Sequence, residues 1–73
     1  MKYICITYRL HKRESTAEDC VTIPMDDWHA EDLLKNGKES ITCFFTVNEI
    51  LRRIAVLLDY DYAEFESAEL RDK

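Results

Sequence analysis

From residue 2 onward apolar and polar positions follow a period of two. Ile4, Ile6, Tyr8 and Leu10 fall on one side, and Tyr3, Cys5, Thr7 and Arg9 on the other. Successive strand side chains point to opposite faces, and the β-branched and aromatic content agrees, so the spacing predicts a strand over 2–10. His11 to Asp19 is polar but for Ala17 and reads as a loop of about nine residues. Cys20-Val21-Thr22-Ile23 predicts a short second strand, ended by Pro24, which has no N–H to give to a ladder. The two strands are expected to form an antiparallel hairpin with a long tip.

The period then changes. Asp26 or Asp27 is placed to cap a short helix ending near Asn36, where Gly37 supplies a residue able to take positive φ. Its apolar set, Trp28, Ala30, Leu33 and Leu34, makes a narrow buried stripe. Residues 39–45 alternate again, setting Ile41, Cys43 and Phe45 opposite Ser40, Thr42 and Phe44, and predict a third strand. Thr46 followed by Glu49 has the spacing of a capping box. Beyond it Val47, Ile50, Leu51, Ile54, Leu57 and Leu58 recur at helical spacing and predict the helix that contributes most of the core. The pattern loosens at Asp59-Tyr60-Asp61, so the tail either continues this helix or starts a short separate one.

The expected fold is thus α+β: a β-β-α-β-α domain, its three-stranded sheet covered on one face by two helices, with an extra C-terminal helix as an option. Tyr3, Cys5, Thr42 and Phe44 are expected on the uncovered face, a candidate for pairing with a second copy.

Seventy-three residues allow one domain, spanning 1–73, and a hydrophobic share of 47% with one Gly and one Pro is globular rather than disordered composition. No stretch approaches the ~20 apolar residues that span a bilayer, and the first residues read as a strand rather than a signal peptide. A cytoplasmic protein with no membrane partner is expected. Three cysteines, an odd number in strand-like segments, are expected to be reduced and separate. Cys5, His11, Cys20, His29 and Cys43 would make a metal-binding regulator, but no pair is spaced to put two ligands on one turn. Neither metal nor cofactor is expected.

Catalytic patterns are lacking. His11 and His29 are tied by no spacing to a cysteine or serine, and the lone glycine follows a helix where a phosphate loop would precede one. A non-enzymatic protein is expected. Arg9, His11, Lys12 and Arg13 form a basic cluster, and Arg52 with Arg53 another, but a net charge of −5 opposes direct nucleic-acid binding.

The negative charge is concentrated in two places. Residues 26–45 contain Asp26, Asp27, Glu31, Asp32 and Glu39 against two lysines. Residues 59–73 contain Asp59, Asp61, Glu64, Glu66, Glu69 and Asp72 against two basic residues, interleaved with Tyr60, Tyr62 and Phe65. On a helix several of these carboxylates would share a stripe, a crowding that a basic partner would relieve. Aromatics beside them are of the kind enriched in interface hot spots.

The leading expectation is a small acidic protein-binding inhibitor or modulator. Its partner-binding residues would be Asp59, Asp61, Tyr62, Glu64, Phe65, Glu66, Glu69 and Asp72, joined by Asp26, Asp27, Glu31 and Asp32. They would enter a basic groove of a nucleic-acid-binding protein as a nucleic-acid mimic, carboxylates standing where phosphates would. Inhibitors encoded by phages and mobile elements, anti-CRISPR proteins among them, share this size and charge, though no residue motif. The alternative is a homo-oligomeric structural or adaptor protein that pairs through the open sheet face.

Overall fold

The computed structural model describes residues 1–71. Its order is β1 (Lys2–Lys12), β2 (Ser15–Met25), α1 (Asp27–Asn36), a 3-10 turn (Gly37–Glu39), a π-helical segment (Cys43–Val47) running into α2 (Asn48–Leu57), and β3 (Tyr62–Arg71). The three strands make one antiparallel sheet in the order β2-β1-β3, with the helices on one face. The class is α+β as expected, but the order is β-β-α-α-β. The third strand is the acidic tail, and residues 39–45 are not a strand. An 11-residue strand rising ~3.3 Å per residue spans ~36 Å, which accounts for the longest dimension of 36 Å.

The hairpin is longer than its apolar pattern. Lys12 pairs with Ser15, so the loop is Arg13 and Glu14 alone, with Arg13 at φ 52°. Residues 15–20, mostly polar, belong to β2, an edge strand that water wets, and so carry little hydrophobic signal. Pro24 sits within β2 opposite Tyr3, a position allowed because an edge strand has one side without a ladder.

Residues 41–45 are helical because caps outweigh alternation. Ser40 is extended at ψ 154°, and its Oγ accepts the Cys43 N–H at 2.9 Å. One carboxylate oxygen of Asp32, reaching over from α1, accepts both the backbone N–H and the hydroxyl of Thr42, each at 2.9 Å. These bonds satisfy donors at a helix start that the chain itself leaves open. Ser40, Cys43, Val47, Leu51 and Ala55 are then buried at helical intervals, Thr42 is buried beside Asp32, and Ile41, Phe44 and Phe45 point outward. Apolar residues on the solvent side made the stretch look like a strand. The capping box does not form: Thr46 lies inside the π-helical segment, and Glu49 instead accepts from Arg52 at 2.8 Å and Arg53 at 3.3 Å.

The tail is neither a continuation of the helix nor a helix of its own. At the end of α2 the Tyr60 N–H reaches back to the Ala55 carbonyl at 2.8 Å and that of Asp59 to Val56 at 3.2 Å, with Asp59 at φ 64°. That pair of bonds is a Schellman closure, with Asp in the left-handed position where glycine is usual. It reverses the chain into β3.

The core lies between sheet and helices. Ile4, Ile6, Tyr8 and Leu10 of β1 meet Met25, Ala30 and Leu33, then Cys43, Val47, Leu51 and Ala55, and Phe65 of β3. Tyr8 and Phe65 face each other across β1 and β3. The expected helical contribution is confirmed at Val47 and Leu51, with Ile54 packed at its edge, but Leu57 is 82% exposed and Leu58 half exposed. The ladder from Cys43 through Ala55 leaves both outside it. In α1 only Ala30 and Leu33 are buried, and Trp28 and Leu34 face out. No helix among the described residues is long and apolar enough to cross a membrane.

Candidate functional site

The carboxylates of the tail are distributed along β3 and the turn before it, where β1 supplies cations to meet them. Lys12 Nζ lies 3.2 Å from Asp59 Oδ2, and the Arg13 backbone N–H donates to Asp61 Oδ2 at 3.0 Å. His11 Nε2 lies 3.0 Å from Glu64 Oε1, and its ring stacks on Tyr62 with centroids 4.4 Å apart. Arg9 stands between Glu18 of β2 at 3.6 Å and Glu66 of β3 at 3.5 Å. The register shifts by one residue between Thr7 and Tyr8, and Glu66 is the extra residue of that bulge. The basic cluster at 9–13 and the acidic tail are therefore partners in one sheet. Phe65 belongs to the core, Glu69 is exposed opposite Cys5, and Asp72 lies outside the described residues.

The acids of the first helix divide by role. Asp26 is the N-cap: Oδ1 accepts the His29 backbone N–H at 2.9 Å and lies 2.7 Å from His29 Nδ1. These contacts, the backbone bond first, hold its carboxyl below the ordinary aspartate value. Asp32 is held low too, first by the Thr42 backbone N–H and next by the Asn36 amide. Both acids are structural. Asp27 and Glu31 are exposed, Asp27 lying 3.8 Å from the first amino group. With Trp28, 59% exposed, and Leu34 they make an outward stripe at helical spacing, an aromatic anchor beside carboxylates.

A second exposed stripe follows the outer side of the other helix. Ile41, Phe44 and Phe45 stand near its start, the two phenyl rings edge to face at 4.9 Å. Val56 and Leu57 line a shallow groove of about 390 Å³ with Arg52 and Arg53 near its end. A smaller cleft of about 230 Å³ lies between the two helix starts, lined by Pro24, Met25, Asp26, His29, Thr42 and Thr46.

The sheet face away from the helices is polar. It carries Arg9, His11, Glu18, Glu64 and Glu69 beside Tyr3, Thr7, Thr16 and Thr22. Thr42 and Phe44, expected there, are on the opposite layer, Thr42 buried under Asp32 and Phe44 outward. Nor are the cysteines all separate. Cys5 sits opposite Thr22 and Cys20 opposite Thr7, so the two are diagonal neighbours on one face. Burial pushes the Cys43 thiol up, and it lies in the core away from both. Among the described residues no three or more His, Cys, Asp or Glu converge to hold a metal ion.

Trp28 was not legible as a surface residue because an apolar side chain at helical spacing reads as core, and Ile41 and Phe45 were not because their alternation reads as the covered side of a strand. The Cys5–Cys20 diagonal was missed because register depends on loop length, and the two-residue loop was not legible. No protein-family model, curated protein or solved structure matches this chain.

Proposed function

We propose that the protein acts by binding another protein, as a modulator or inhibitor of a partner with a basic groove, and that its contact surface is the outward face of α1. The observation that carries this reading is Trp28, 59% exposed on a helix where Asp27 and Glu31 flank it. A tryptophan left in water is apolar area available for burial, and Trp is among the residue types that dominate interface energetics. Acids around it would steer a basic partner and set the salt dependence of association. The tail is the weaker candidate, since Arg9, His11 and Lys12 already answer three of its acids, Glu66, Glu64 and Asp59.

The test is capture from a lysate followed by binding kinetics with the captured protein at two salt concentrations. Trp28→Ala, and separately Asp27→Asn with Glu31→Gln, should weaken binding while circular dichroism stays that of the parent. Changing Glu64, Glu66 and Glu69 to Gln should leave the off-rate unchanged. The reverse result would move the surface to the tail, and binding indifferent to all these variants would end the reading.

Ile41, Phe44 and Phe45 favour a second reading, self-association through the outer side of the other helix. It replaces the open sheet face, whose charges disfavour burial. A mass that rises with concentration, changes little with salt and falls on Phe44→Ser with Phe45→Ser would support it.

A further inference from the structure

The most chemically distinctive cluster outside these surfaces is on the polar sheet face. Cys5 of the central strand is 4% exposed, and its Sγ accepts a hydrogen bond from Arg71 Nη2 at 3.0 Å. Cys20 is exposed on the edge strand, one diagonal step away. We propose that Cys5 and Cys20 form a thiol–disulfide exchange site for small disulfides of the glutathione type, closing on oxidation into a cross-strand disulfide.

The division of labour follows from exposure. Only Cys20 is open to a bulky disulfide. Its sulfur, having lost a proton to solvent, attacks one sulfur of oxidised glutathione; that S–S bond breaks and one glutathione thiolate leaves, taking up a proton. Cys5 then gives up its proton and attacks Cys20 Sγ. The mixed disulfide breaks and the second glutathione leaves as thiol. The dithiol is oxidised by two electrons, and one glutathione disulfide becomes two thiols. The Arg71 guanidinium, already on Cys5 Sγ, favours the negative charge that the second attack requires. The Cys20 thiol is pushed up, first by its side-chain hydrogen bond with Cys5, so the first step quickens as pH rises.

Closure needs a small movement. Diagonal neighbours stand ~7–8 Å apart between Cα atoms and a disulfide accepts ~4.4–6.8 Å. The strand that must move by about 1 Å is β2, whose outer edge is unpaired among the described residues and whose Glu18-Asp19-Cys20 run is exposed. The bond would tie residue 5 to residue 20 and stiffen the hairpin.

The experiment incubates the full chain with oxidised glutathione, quenches in acid and follows intact mass and mapped peptides. The parent should pass through a glutathione adduct to a species lighter by two hydrogens, with a Cys5–Cys20 peptide and a raised Tm. Cys20→Ser should take up no glutathione. Cys5→Ala should stop at the adduct, and Cys43→Ala should behave as the parent. Arg71→Gln should slow the second step and leave the first unchanged. Should Cys5→Ala not fold, mapping of the parent decides alone. A parent that keeps the adduct on Cys20, or forms only a Cys20–Cys20 dimer, overturns the proposal.

Discussion

Strand β3 and helix α1 are both rich in acids and aromatics, yet their side chains have different tasks. In β3 Glu64 and Glu66 face His11 and Arg9, Tyr62 lies on the His11 ring, and Phe65 fills the core opposite Tyr8. In α1 Asp26 and Asp32 hold backbone donors at helix starts, while Asp27, Trp28 and Glu31 face solvent. The difference lies in what each element has for neighbours. A strand beside another has a partner opposite every residue, and here that partner strand carries the cations. A helix packed by one narrow stripe leaves most of its circumference uncovered. Acidity alone therefore does not mark a binding surface.

Truncating one aromatic on each element tests this difference most directly. Phe65→Ala should cost about 3–5 kcal/mol, because it empties a core position. Trp28→Ala should change stability by less than ~0.5 kcal/mol, as surface changes usually do. Urea melts of the two variants check this, and comparable losses would mean that Trp28 is packed.

Caps come next. Ser40→Ala should cost roughly 0.5–2 kcal/mol through the lost Cys43 bond, whereas Thr46→Ala should be nearly silent. Equal effects in thermal melts would return the helix start to the capping-box position.

Asp32 has a structural role that makes stability depend on pH. Its folded pKa is depressed, so its contribution is present above the unfolded value of ~3.9 and is lost as pH falls through the folded pKa. Asp32→Asn should lower Tm at neutral pH, and the gap to the parent should narrow in acid. A gap that persists unchanged to the acid limb would mean that the carboxylate does not hold Thr42. The smallest effect is expected from Glu64, Glu66 and Glu69 changed together to Gln. Relief of crowding on a helix would raise Tm. Loss of the Arg9 and His11 pairs should instead lower Tm slightly, the stability falling by about 1 kcal/mol at most for such exposed pairs.

Features that depend on neighbours along the chain were legible in its residues. The alternation of Ile4, Ile6, Tyr8 and Leu10 made the central strand; Asp26 and Gly37 bounded the first helix; Val47 and Leu51 marked the buried side of the second. Together these were enough for the α+β class. The rest came from contacts between distant segments. Whether 39–45 is strand or helix turned on Asp32 reaching Thr42 from ten residues away. Whether 62–71 is helix or strand turned on β1 having an unfilled edge and on Asp59 taking positive φ. The fate of the acids and the meeting of Cys5 with Cys20 were settled by register. A carboxylate's partner, or a thiol's, is fixed by which residue stands across the sheet, and spacing along one strand carries no record of that.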